Sequence, residues 1–174
     1  MKELQLPLSD TTIKTLHAGE MVLLSGKLLT GRDQVHLRFT EALKRGKKLP
    51  VEIKGQAIYY VGPTPAKPGE VIGSCGPTTS RRMDAFSPLL IKHGLKVIIG
   101  KGGRSKEVKS ALKKYKGVYF MSIGGAGAYL SIRVKSAKVI AYPELGPEAV
   151  YQLEVECFPV IVAIDSKGRT IFRP

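Results

Sequence analysis

Three cations follow closely on glycine-bearing turns. Arg32 lies in Thr30-Gly31-Arg32-Asp33, and Lys101 in Gly100-Lys101-Gly102-Gly103. Arg82 ends the run Gly76-Pro77-Thr78-Thr79-Ser80-Arg81-Arg82. Two guanidinium groups and one ammonium group brought together would bind a small polyanion, arginine gripping a carboxylate through two parallel N–H bonds. Thr78 and Arg82 stand at i and i+4, so a helix there would turn both toward one ligand. Asp84, two residues past Arg82, would then face away and serve as a structural ion-pair partner. His36 is near enough to Arg32 to support it from behind. His93, beside Gly94, reads as a partner for a helix C-terminus. His17 has no obvious mate.

The elements that must position these groups alternate between strand and helix. Leu4 to Leu8 reads as a strand, with Ser9-Asp10 capping a short helix after it. Met21 to Leu29 reads as a strand with a bend at Gly26. Asp33 is expected as the N-cap of a helix to about Arg45-Gly46, with Val35, Leu37, Phe39, Ala42 and Leu43 on its apolar face. Residues 57–61 form a strand core. Pro63, Pro65 and Pro68 make residues 62–70 a stiff loop. Val71 to Cys75 is expected as a short strand leading into a helix from about Thr79, which Ser87-Pro88 kinks or restarts and Gly94 ends. Leu95 to Ile99 is a buried strand. Ser105 caps a helix to about Lys116, with Val108, Ala111, Leu112 and Tyr115 on one face and lysines on the other. Val118 to Met121 is a strand, and Ile123-Gly124-Gly125-Ala126-Gly127-Ala128 opens a further helix. Tyr151 to Val155 and Val160 to Ile164 are strands, and a Ser166-Lys167-Gly168 turn then leads to a last one at Thr170 to Phe172.

This pattern predicts an α/β fold with a mixed, partly parallel central sheet flanked by helices, its antiparallel strands at one edge. Four of the strands run into glycine turns that open helices. Ligands collect at the carboxyl ends of strands in such sheets, and helix N-termini there add N–H groups and partial positive charge.

Composition narrows the function class. The 174 residues are 43% hydrophobic and 24% charged, enough to bury a core and too ordered a mixture for a disordered tail. A single domain over residues 1–174 is expected. The apolar runs are far too short to span a bilayer, and Met1-Lys2-Glu3-Leu4-Gln5 lacks a signal-peptide apolar region, so a cytoplasmic protein is the expectation. Cys75 and Cys157 are the two cysteines. They form no metal-ligand pattern and are expected as free buried thiols. Two thiolates are too few for an iron–sulfur cluster.

The formal net charge is +14, and Lys92 to Lys116 alone holds nine basic residues against one acid, Glu107. Nucleic acid, an acidic protein and an anionic substrate all suit that field. With aromatics at 7% and no Trp, a base-stacking platform for single strands is poorly supported. The lysine-rich helix reads first as a solvated face, or as a dock for an acidic subunit.

Gly76-Pro77-Thr78-Thr79-Ser80-Arg81-Arg82-Met83-Asp84 resembles the GPTTSxRMD signature of the class I, iron–sulfur hydro-lyases, the fumarate hydratases and L-tartrate dehydratases. Thr30-Gly31-Arg32-Asp33 with His36, and Gly100-Lys101-Gly102, follow in the family's order, and the resemblance runs from about Leu16 to Phe172. It implies a swivelling β/β/α domain of the beta-subunit type. It also implies an alpha subunit holding a four-iron, four-sulfur cluster through three cysteines, so that this chain would be inactive alone. The implied reaction is the reversible hydration of fumarate to L-malate, a step of the tricarboxylic acid cycle, with tartrate dehydration as the alternative. Carried over by motif position, Arg32, Thr79, Arg82 and Lys101 bind substrate, and Thr78 matches the family's proposed base. The alternative from another class is a basic nucleic-acid-binding domain.

Overall fold

Burial alternates with a period of two along the central strands, and the two faces belong to two cores. In the computed structural model, which describes residues 1–173, Ala57, Tyr59, Val97, Ile99, Val118 and Phe120 join one apolar cluster. Their sequence neighbours Ile58, Ile98 and Tyr119 join another. Strands buried on both faces are what a sheet lined by helices outside and closed on itself inside requires.

The strands are β1 (Lys2–Leu6), β2 (Met21–Thr30), β3 (Ala57–Tyr59), β4 (Val97–Gly100), β5 (Val118–Met121), β6 (Val134–Ala141) and β7 (Val150–Ile164). The helices are α1 (Asp10–Thr15), α2 (Asp33–Lys44), α3 (Ser87–Lys92), α4 (Lys106–Tyr115) and α5 (Gly127–Ile132), with 3-10 turns at Ser80–Met83 and Pro143–Glu148. β1 to β5 pair in parallel in sequence order. β7 pairs antiparallel with β5 on one side and β2 on the other. The order β2-β3-β4-β5-β7 therefore returns to β2 as a closed, five-stranded, barrel-like sheet. β1 extends it beside the first half of β2, and β6 beside the first half of β7. The first core draws on all five ring strands, β1, α1 and α5. The second fills the space between the ring and α2, α3 and α4.

The mixed, partly parallel sheet flanked by helices is present as expected. Antiparallel pairing does lie at one edge, where β6 joins β7, but β7 itself also pairs with β2 and is the stave that closes the ring. A bulge eases this closure. The β2–β7 register shifts between Leu24 and Gly26, where Gly26 has φ +113° and Cys157 on the facing strand has φ +51°. A side chain at Gly26 would meet the Leu6 carbonyl at 2.7 Å, so the bend needs glycine.

Several local expectations need correction. Val71 to Cys75 is not a strand: Thr64 binds Ser74 through its backbone N–H and its Oγ1, and Cys75 N–H donates to the carbonyl of Gly127, so that backbone pairs with a loop and the start of α5 rather than with a strand. Residues 134–141, not anticipated, form β6. Residues 150–164 make one strand where two were expected. Thr170 to Phe172 supplies only a bridge from Thr170 to Ile164. On α2 the buried residues are Val35, His36, Phe39 and Thr40, while Leu37 is exposed. Cys75 is buried as expected and Cys157 only partly; both are free. No helix among the described residues is long and apolar enough to cross a membrane.

Candidate active site

The carboxyl ends of β2, β3, β4 and β5 lie on one rim because these strands run parallel. Thr30 leads out of β2 into Gly31, whose N–H donates to Tyr59 of β3. A Cβ at Gly31 would press within 3.0 Å of Ile58 and 3.1 Å of Val35, so this crossing is tight. Arg32 then caps α2 with an extended backbone. Its side chain lies over Gly62, where an added Cβ would meet Nη1 at 2.9 Å. Arg32 Nε is 3.9 Å from Asp33 Oδ2 and 3.9 Å from Glu148 Oε1.

The segment from Cys75 to Asp84 lies across the ends of the neighbouring strands. Thr78 N–H donates to the Tyr60 carbonyl at 2.7 Å. Thr79 forms a parallel bridge with Lys101. Ser80 N–H donates to the Lys101 carbonyl at 3.0 Å, and Lys101 N–H returns to Ser80 Oγ at 3.0 Å. The signature therefore continues the strand ladder past the end of β4 before turning. Lys101 extends toward the β5–α5 loop, its Cδ 3.6 Å from where a Cβ on Gly124 would stand.

Two details differ from expectation. No α-helix starts at Thr79; a four-residue 3-10 turn follows it, and Pro88 near the start of α3 begins the true helix. The i, i+4 argument for Thr78 and Arg82 thus has no helix under it. Arg82 reaches the rim by an ion pair instead, Nε to Asp33 Oδ1 at 3.1 Å. That pair also explains why Asp33 is not the N-cap of α2: Arg32 occupies the cap, and the Asp33 carboxylate faces two guanidinium groups. The structure thus joins Arg32 and Arg82 through Asp33, and Thr79 and Lys101 through the ladder. Thr78 hangs from the end of β3. Asp84 is a structural partner as expected, taking Arg104 Nε and Ser105 N–H, each at 2.6 Å.

The histidines divide. His17 pairs with Glu20 at 3.1 Å, and His93 is the C-cap of α3. His36 is fully buried, contacts the Arg32 carbonyl through Nδ1 at 2.8 Å and packs edge-on against Tyr60. Burial lowers its pKa to about 4, so the ring is neutral at pH 7 and Nδ1 is the donor. Burial pushes the Tyr119 hydroxyl up to about 12 and the Cys75 thiol up to about 12.

Sequence reasoning missed Asp33, Tyr60 and Arg104 as the links between these segments. Arg104 had one signal: it is the single arginine in a basic run otherwise made of lysines.

The donor set does not fit an iron–sulfur cluster. Cys75 is held as the neutral thiol, a poor ligand, and no group of three or more His, Cys, Asp or Glu among the described residues could hold a metal ion.

The family described as Fumarase C-terminus matches residues 2–174. The chain belongs to the Fumarase C-terminus family. It is 41% identical over 175 residues to the anaerobic class I fumarate hydratase of Escherichia coli K12, covering 99% of this chain and 31% of that protein. It is 42% identical over 156 residues to fumarate hydratase 2 of Leishmania major, covering 88% of this chain and 28% of that protein. A third relative, named "Putative L(+)-tartrate dehydratase subunit beta", is from Methanocaldococcus jannaschii. It is 41% identical over 171 residues, which cover 95% of this chain and 88% of that protein. This Fumarase C-terminus domain thus spans under a third of the two fumarate hydratases and most of the tartrate dehydratase subunit.

Proposed function

We propose that this chain is the beta-subunit-type part of an iron–sulfur hydro-lyase that reversibly hydrates fumarate to L-malate. The observation that carries the reading is the sharing of Asp33 by Arg32 and Arg82 on the rim where Thr78, Thr79 and Lys101 also emerge. A dicarboxylate presents two anions and accumulates charge on one of them when the adjacent carbon loses its proton. Arg32, Arg82 and Lys101 would hold the carboxylates and oppose that developing charge. Thr79 would assist binding, and Thr78 would move the proton. A threonine hydroxyl is a weak base at its free pKa, and cations brought beside it would favour its deprotonated form.

The four-iron, four-sulfur cluster is assigned by this reading to an alpha subunit with three cysteines, because the donors of this chain do not suit it. Subunit dependence and a cytoplasmic setting belong to the same proposal. The test is anaerobic co-expression with a three-cysteine candidate alpha subunit, then assay on fumarate, L-malate and L-tartrate. Fumarate and malate should interconvert in the complex and in neither subunit alone. A cluster-loaded complex inert toward all three acids overturns the reading. A gel shift checks the nucleic-acid alternative, which requires salt-sensitive DNA or RNA binding by the lone chain. Tartrate dehydration is the second reading, favoured by the long match to the tartrate dehydratase subunit.

A further inference from the structure

The side chain of Arg104 is wholly shielded from solvent, yet carries a full charge. Its guanidinium carbon sits 5.3 Å from the Tyr60 ring centre and 4.9 Å from that of Tyr119, so it lies against both rings. Nε binds Asp84 Oδ1 at 2.6 Å. Nη2 donates to Ser87 Oγ at 2.8 Å and to the Tyr60 hydroxyl at 3.3 Å. Nη1 is buried with no partner among the described residues.

Each group that Arg104 touches leads to a different rim segment. The Tyr60 carbonyl accepts from Thr78, and the Tyr60 ring packs on His36, which contacts the Arg32 carbonyl. Asp84 ends the 3-10 turn that carries Arg82. The Tyr119 hydroxyl donates to Gly102 at 2.8 Å and lies 2.9 Å from Ser80 Oγ, which accepts from Lys101 N–H.

Stability alone does not account for this arrangement. A buried ion pair replaced by apolar side chains of similar volume is often neutral or stabilising. An unmet N–H adds further cost.

We propose that Arg104 is a positioning residue, a buried anchor that fixes the segments bearing Arg32, Thr78, Arg82 and Lys101 relative to one another. It touches no substrate. The inference takes its kinetic readout from the hydro-lyase reading, and a second readout on the chain itself keeps the two separable.

The test compares wild type with Arg104→Met and Arg104→Lys. In the full chain, amide hydrogen exchange at Thr78, Ser80 and Lys101 should accelerate together in Arg104→Met, by about tenfold or more, while Leu153 in β7 keeps its protection. In the complex with the alpha subunit, KM for the dicarboxylate should rise about tenfold or more, beside a lower thermal midpoint, since Asp84 is left buried without its partner. Arg104→Lys, which keeps the charge and loses the planar fork, should recover only part of the loss. If Arg104→Met fails to fold, Asp84→Asn frees the same guanidinium and should accelerate the same three amides. Unchanged exchange at those amides overturns the anchor, as does a loss of stability with KM unchanged. An inert wild-type complex overturns the hydro-lyase reading instead, and the exchange result still decides the anchor.

Discussion

Arg82 and Asp33 meet across 49 positions of sequence, Nε to Oδ1 at 3.1 Å. The pair ties the signature segment to the start of α2, and Arg82 remains about half exposed, at 53%. An exposed pair of this kind contributes about 1 kcal/mol at most to stability. Under the proposed function its importance lies in where it points the guanidinium.

Arg82→Ala should therefore separate function from folding. KM for fumarate or malate should rise by about ten- to a hundredfold, the scale of one lost charged hydrogen bond, and turnover should fall. The unfolding free energy should change by less than about 1 kcal/mol. Steady-state kinetics on the assembled complex beside urea unfolding of the chain make the comparison. An unchanged rate law would remove Arg82 from the carboxylate clamp.

Thr78→Ala should lower turnover by about a hundred- to ten-thousandfold, the range for a lost proton-transfer group. Iron content and the visible absorbance of the complex should stay as in wild type. Near-normal turnover in this variant would take Thr78 out of the mechanism.

His36 makes stability depend on pH. Its folded pKa of about 4 lies below the ordinary value of 6.5 because burial disfavours the charged ring. Between those values the unfolded chain binds the extra proton, so stability is full above pH 6.5 and declines as pH falls toward 4. The loss is about 3 kcal/mol by proton linkage. Denaturant midpoints taken at steps through this window should show the decline in wild type and a flatter profile in His36→Gln. Equal profiles would mean that the ring is not held neutral.

Gly100→Ala should disturb the site from below. An added Cβ would collide with Ser80 Oγ, the atom that accepts the Lys101 N–H. We expect about 1–3 kcal/mol of destabilisation from the forced shift, together with a rise in KM as Lys101 moves. A thermal melt and kinetics on the same preparation check both parts; wild-type values in the two would show that Ser80 yields without consequence.

Local chemistry accounts for what was legible in the sequence. Ser9 and Ser105 read as caps, and each accepts the expected backbone N–H, from Thr12 and Val108. The buried strands announced themselves by composition. Arg32, Thr78, Thr79, Arg82 and Lys101 stand near glycine turns in the sequence; Arg32, Thr78, Thr79 and Lys101 follow the ends of parallel strands, and Arg82 sits in the 3-10 turn beyond them. The missed parts depend on distant residues. β6 reads Val-Lys-Ser-Ala-Lys-Val-Ile-Ala, and as an outer strand paired only with β7 it keeps much of its surface exposed, so its alternation is weak. The closure of the ring was hidden because nothing within Val150–Ile164 says that it will pair with both β2 and β5. Asp33 looked like a cap until Arg82, far along the chain, took its carboxylate.

The ring has a consequence for the order in which the protein can assemble. β7 follows every other strand in the sequence, so a chain growing from its N-terminus has made all four rim loops before the last stave exists. Until then the unjoined sides of β2 and β5 expose backbone donors and acceptors that any extended segment could borrow. Their proper partner lies more than a hundred positions away for β2, a span that favours slow maturation and gives chaperones a defined interval in which to shield the opening.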